Sequence, residues 1–322
     1  MTKQDEVRSR TQPPTDWRRI TDRLGSQWMR GMATSTVLLV ACLILALLVR
    51  TWPILQNRSL SDLLLGISWH PLRGEFGFKP FIVGTLWVTG LSMVLAVPIC
   101  ALCAIYLAEY APRSVARIIK PLIDLLAGIP SVVYGVWGTL TVVPFIRSSA
   151  GPWIDHHLGH IPFFSMEANP TGYSVLAGSI VLAVMVAPFI ISVMEEVLRL
   201  VPQGLREATL ALGVTRWTMV RHVVLRRALP GVLAAVVLGF SRAFGETMAV
   251  LMVVGNVPQI PHSVFDAAYP LPALIANNYG EMMSIPLYDA ALMGAGLFLL
   301  LVVLGFNLLA RIILRHLARL SE

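Results

Sequence analysis

Long apolar runs alternate with short charged segments along the chain. Residues 31–49, 80–108, 125–146, 168–194 and 290–310 contain no charged side chain, and a sixth run, 231–254, is as apolar but holds Arg242 and Glu246. Each is close to or above the ~20 residues that span a bilayer. The pattern predicts an all-α membrane protein with six transmembrane helices near residues 31–52, 80–108, 121–146, 170–194, 230–254 and 288–310. A polar arm, 1–30, precedes the membrane domain, 31–322.

Composition strengthens this reading. Of 322 residues 13% are charged and 56% hydrophobic, against about 25% charged in an average soluble domain. The apolar content also excludes a disordered chain. The net charge of +7 would suggest nucleic acid as the partner of a soluble protein. Here it fits basic loops on one side of a lipid bilayer, with no nucleic acid involved. If both termini lie inside, nineteen Lys and Arg fall in inward segments and five in outward ones, with Arg242 left within a helix. The positive-inside rule therefore places both termini in the cytoplasm. Cys42, Cys100 and Cys103 all lie in apolar runs and read as buried thiols, not as a disulfide framework or redox pair.

The first apolar run exceeds a signal-peptide core and reads as an uncleaved helix. Thr11-Gln12-Pro13-Pro14-Thr15 makes the arm irregular there, and residues 17–28 fit either a surface helix or a loose tail. In the outward loop 148–167, His156 and His160 stand four apart, a spacing a metal can use. No further ligand pattern joins them, so the residues read as a solvated loop. The segment 257–289 holds five prolines and no Lys or Arg. It reads as a rigid, partly re-entrant turn with a short helix around 271–283.

Arg242 falls near the centre of the sixth apolar run. A midplane arginine costs ~2.5–3.5 kcal/mol on insertion scales, so it usually faces protein or water and carries function. On a continuous helix Glu246 would share its face, one turn further on. A structural ion pair is one explanation, but an apolar pair would pack as well without desolvation. An anion relay is the other: the guanidinium forks onto a tetrahedral oxyanion, while the carboxylate keeps the empty site near neutral. Gly231, Ala235 and Gly239 repeat every four residues, a stripe that admits a neighbouring helix closely.

The long inward loop, 195–227, contains Pro202-Gln203-Gly204-Leu205-Arg206-Glu207-Ala208-Thr209-Leu210-Ala211-Leu212-Gly213. Residues 205–212 form helix well and Gly213 suits its stop. Leu205, Ala208 and Leu212 share a face fit for docking another protein. The arginines that follow read as headgroup anchors.

Glu207-Ala208-Thr209 followed by Gly213 resembles the EAA loop of ABC importer permeases. Leu126-Ala127-Gly128-Ile129-Pro130-Ser131-Val132-Val133-Tyr134-Gly135 and Arg242-Ala243-Phe244-Gly245-Glu246-Thr247-Met248-Ala249-Val250 resemble phosphate importer permeases more closely. So do Trp69-His70-Pro71, Phe81-Ile82-Val83-Gly84-Thr85-Leu86 and Tyr106-Leu107-Ala108-Glu109-Tyr110-Ala111-Pro112. Met248-Ala249-Val250 favours the PstC-type chain over its PstA-type sister. Two positions depart from the family pattern: Thr209 replaces the second Ala of the triplet, and Arg226 replaces a Pro.

The resemblance implies a type I-like permease bundle in the bacterial inner membrane, paired with a PstA-type sister permease. Two copies of a cytoplasmic ATPase would drive it, and an extracytoplasmic phosphate-binding protein would deliver inorganic phosphate. Arg242 and Glu246 would lie on the substrate path. Leu205, Glu207, Ala208, Thr209, Leu212 and Gly213 would form the coupling helix. This chain would carry no cofactor, with ATP and Mg held by the ATPase. Consistent with that division, none of its lysines (Lys3, Lys79 and Lys120) follows a glycine, so it has no phosphate-binding loop of the Walker type. Three alternatives differ in what they require. A permease for another oxyanion such as sulfate, molybdate or phosphonate would keep the same architecture. An enzyme acting on lipid phosphate would need no docking loop. A secondary transporter would show an inverted repeat, and no second copy of the charged pair is present.

Overall fold

A computed structural model describes residues 16–166, 169–280 and 285–320, with side chains described from 21 to 312. The irregular stretch expected at residues 11–15 lies outside this range. The first helix, α1 (Asp16–Asn57), is continuous for 42 residues, so the expected boundary between arm and span at residue 31 does not interrupt it. Residues of α1 up to Arg50 form one unit, and the chain from Thr51 onward forms a second.

The second unit opens with α2 (Leu60–Leu65) and a two-stranded antiparallel hairpin, β1 (Trp69–His70) and β2 (Glu75–Phe76). Trp69 gathers the aromatic rings here, 5.0 Å from Phe81, 5.6 Å from Phe76 and 5.9 Å from Tyr288 between centroids. With Leu63, Leu271 and Leu274 they make a compact apolar cluster.

The main core is a helical bundle. The helix α3 (Lys79–Tyr110) carries Pro80 in its first turn, where a missing N–H costs nothing. It packs along α6 (Val175–Arg199) through Val88, Cys100, Val181 and Ile190. Ser174 caps α6, its Oγ accepting from the Ala177 N–H at 3.2 Å. This cap places the helix start at 175 instead of 170. The last helix, α11, runs Pro286–Leu320.

Two expected spans differ from prediction. The apolar run 125–146 is not one straight helix. The chain forms α4 (Arg113–Ala127), turns by 93° at Gly128-Ile129-Pro130, and continues as α5 (Ser131–Leu158). Pro130 cannot extend the preceding helix, and Tyr134 donates from its hydroxyl to the Leu126 carbonyl across the bend at 2.9 Å. The helix α5 also takes in His156 and His157, expected in a loop. Asp155 there accepts from the Met166 N–H at 2.9 Å.

The run 230–254 differs too. Its helix α8 begins fourteen residues earlier than the run, at Arg216, and ends at Phe244. After a non-helical break at 245–247 comes the single turn α9 (Met248–Leu251). Glu246 is therefore not on the same helix as Arg242. Residues 255–270 then pack against the bundle, burying Val264, Phe265 and Ala268, and lead into α10 (Leu271–Asn278). The remainder of the short helix expected to 283 lies partly outside the described residues. Among the described residues, five helices are long and apolar enough to cross a membrane, or six when the bent pair α4 and α5 counts as one span.

Candidate functional site

The stripe of small residues on α8 determines where Arg242 sits. A Cβ built on Gly231 would fall 2.3 Å from Val197 Cγ1, and one on Gly239 would fall 2.5 Å from Ile190 Cγ1. Ala235 between them is fully buried. The backbone of α8 thus lies directly against α6, and its C-terminal end arrives beside the middle of that helix. There the Arg242 Cζ lies 5.4 Å from the centroid of the Phe189 ring.

Phe189 follows Val175 by fourteen residues and precedes Arg199 by ten, about 21 Å and 15 Å along the axis. Arg242 is therefore at mid-depth in the bundle, although it occupies the last turn of α8. Two features offset the cost of placing it there. The α8 C-terminus carries partial negative charge from its free carbonyls, worth roughly 0.3–1 kcal/mol to a nearby cation. The Phe189 face attracts the guanidinium as a cation–π partner, worth roughly 0.5–2 kcal/mol depending on solvation.

The guanidinium forms no hydrogen bond or ion pair among the described residues, and Arg242 is exposed on the surface of this chain. Glu246 is turned elsewhere: its Oε1 accepts from the Ala249 N–H at 3.4 Å at the start of α9. The expected direct Arg242–Glu246 pair is thus absent, because the helix ends between them. At the break, the Gly245 α-carbon faces open space, with Ser241 O at 4.0 Å the nearest atom to a built Cβ. Ser241 donates from Oγ to Asn307 Oδ1 on α11 at 3.1 Å. Gly135 of α5 completes this neighbourhood, its built Cβ 3.2 Å from the Ala249 Cα. The result is a cation with unspent donors, beside a stretch of non-helical backbone, on an open face at mid-depth.

The other predicted residues lie on α7 (Gln203–Ala211), which buries none of its side chains. Leu205, Glu207, Ala208 and Leu212 are exposed, Leu212 at 82%. Thr209 turns its hydroxyl onto the Leu205 carbonyl at 2.6 Å. Gly213 has φ 79°, a left-handed conformation that ends the helix.

Sequence reading missed what holds α7 in place. Arg206 forks onto Glu109 at the end of α3, with Nη2 2.8 Å from Oε1 and Nε 3.2 and 3.3 Å from the two oxygens. It also donates to the Leu198 carbonyl at 2.8 Å and to that of Val201. Arg216, which stays exposed, lies over the Tyr110 ring at 5.5 Å. Glu195 pairs with Lys120 of α4 at 2.9 Å and with Arg199. A lone acid ending an apolar run, as Glu109 does, was the available signal.

Residues 100–321 match the family of binding-protein-dependent transport system inner membrane components. The phosphate transport system permease protein PstC of Haemophilus influenzae is 36% identical over 281 residues, covering 86% of this chain and 88% of its own length. The PstC protein of Pasteurella multocida is 34% identical, covering 97% of this chain and 98% of its own. Among solved structures, a bacterial alginate ABC transporter in complex with an alginate pentasaccharide-bound periplasmic protein aligns with a TM-score of 0.56 at 15% identity, covering 94% of this chain and 98% of that one. The inward-facing MetNI methionine ABC transporter aligns with a TM-score of 0.54 at 24% identity, covering 73% and 93%. These two likenesses establish the fold.

Proposed function

This chain belongs to the family of binding-protein-dependent transport system inner membrane components, and on that premise we propose that it is the PstC-type transmembrane subunit of an ATP-driven importer of inorganic phosphate. It is a transport subunit and not itself the ATPase. One observation carries the reading: a helix breaks at mid-depth beside an arginine whose donors are unspent. Non-helical backbone at membrane depth is tolerated only where it is buried in protein or lines a water-filled cavity. Gly245 faces open space within this chain, so the break belongs at an aqueous path closed on its other side by a second subunit. A PstA-type sister permease fits that place.

In this path the Arg242 guanidinium receives the anion through its planar fork. Glu246, on the far side of the break, is a negative charge that moderates the hold, so that the anion leaves again. It accepts a hydrogen bond from a protonated phosphate and repels fully deprotonated sulfate.

Both termini and α7 lie in the cytoplasm, and the exposed face of Leu205, Ala208 and Leu212 docks a cytoplasmic ATPase, two copies serving the complex. The hairpin and the segment 255–280 lie outside and receive a phosphate-binding protein. Closure of the ATPase pair displaces α7 and opens the bundle outward, and hydrolysis reverses the motion. The test is ATP-dependent uptake by the complex reconstituted with sister permease, ATPase and binding protein. Saturable phosphate uptake that sulfate does not compete is expected. Uptake of sulfate in preference to phosphate would instead favour a permease for another oxyanion.

A further inference from the structure

Three arginines from three positions around α7 converge on one turn. Arg199, at the end of α6, donates from Nη2 to the Leu107 carbonyl at 3.3 Å. Arg206, within α7, forks onto Glu109. Arg216, the first residue of α8, lies over the ring of Tyr110. Their targets all belong to the π turn Tyr106–Tyr110 that closes α3. A π turn inserts an extra residue into the helix and re-aims the side chains around it. Here it directs Glu109 toward α7, where its carboxylate is only 5% exposed and Arg206 17%.

We propose that this turn is the receiver for the motion of α7, and that Arg206 and Glu109 are positioning residues that make α7 and α3 move as one body. The proposal rests on the reading of α7 as the ATPase-docking helix. Leu205, Glu207, Ala208 and Leu212 of α7 are exposed, while Arg206 is half-buried against the end of α3. Besides packing on the start of α8, α7 is tied to the end of α3 by this fork and the arginines flanking it, so a force applied to α7 is passed to α3 here. A bidentate pair resists rotation as well as separation. From the turn the route is continuous. The helix α3 packs along α6, with Ser179 Oγ donating to the Val88 carbonyl at 3.1 Å. Cys100 contacts the Ala187 carbonyl at 3.6 Å, two residues from the Phe189 that faces Arg242.

The experiment measures phosphate transported per ATP hydrolysed by the reconstituted complex in the same vesicles. Glu109→Gln and Arg206→Gln are each expected to assemble with ATPase bound and to lower that ratio about tenfold. The exchanged pair Glu109→Arg/Arg206→Glu is expected to recover it to within about threefold of the parent. The exchanged pair also serves if the single variants fail to assemble, since it retains both charges in contact. An unchanged ratio in an assembled single variant would overturn the proposal, and so would an assembled exchanged pair that stays tenfold low. Leu212→Asp separates the two readings. Loss of ATPase co-purification supports docking through α7, and retention overturns that reading whatever the fork does.

Discussion

Arg242 and Phe189 meet at 5.4 Å where the end of one helix reaches the middle of another. The pairing explains how a guanidinium stands at mid-depth without a carboxylate against it. A ring face and a helix C-terminus supply diffuse negative potential and leave the N–H groups free. A direct salt bridge would have occupied those donors.

Glu246 is separated from Arg242 by the break, so its effect on the anion is electrostatic and selective. Glu246→Gln should narrow the preference for phosphate over sulfate severalfold while uptake of phosphate continues. Competition by sulfate in reconstituted vesicles measures it; an unaltered ratio of the two anions counts against the moderating role.

Gly213 ends α7 at φ 79°. An alanine there costs about 1–2 kcal/mol locally, and a proline, whose φ is fixed near −65°, cannot adopt it. Gly213→Pro should retain the subunit in the membrane and uncouple ATP hydrolysis from uptake, with Gly213→Ala affected less. Parent-like coupling in Gly213→Pro would mean that the exit from α7 has no part in transmission.

The close approach of α8 and α6 rests on Gly231 and Gly239. Gly239→Val would overlap Ile190 and should destabilise the fold by about 1–3 kcal/mol, the usual range for overpacking. Gly245→Ala, beside open space, should leave thermal stability unchanged. Thermal denaturation of both variants in detergent checks the pair, and equal stabilities would contradict the packing account.

The sequence made some features legible and hid others for identifiable reasons. Apolar runs of spanning length marked the helical bundle, because burial in lipid needs about twenty apolar residues whatever the neighbours are. Gly213 was readable as a helix end because glycine alone takes the left-handed conformation freely. The 93° elbow at Gly128–Pro130 was hidden inside an apolar run, since hydropathy reports depth and not direction. The break at Gly245 was hidden likewise, and with it the true place of Arg242 at a helix end. The Arg206–Glu109 fork joins residues 97 apart in sequence. Charge counting could only assign both to loops, because the π turn that aims Glu109 at α7 is set by tertiary packing.

The central claim is that Arg242 receives the transported anion, and ATP-dependent phosphate uptake by vesicles holding the complete complex with Arg242→Gln tests it most directly. Uptake should fall at least a hundredfold while all subunits still co-purify, with Arg242→Lys retaining a fraction of the activity because it keeps charge without the fork. Parent-like uptake by the assembled Arg242→Gln complex would contradict the account.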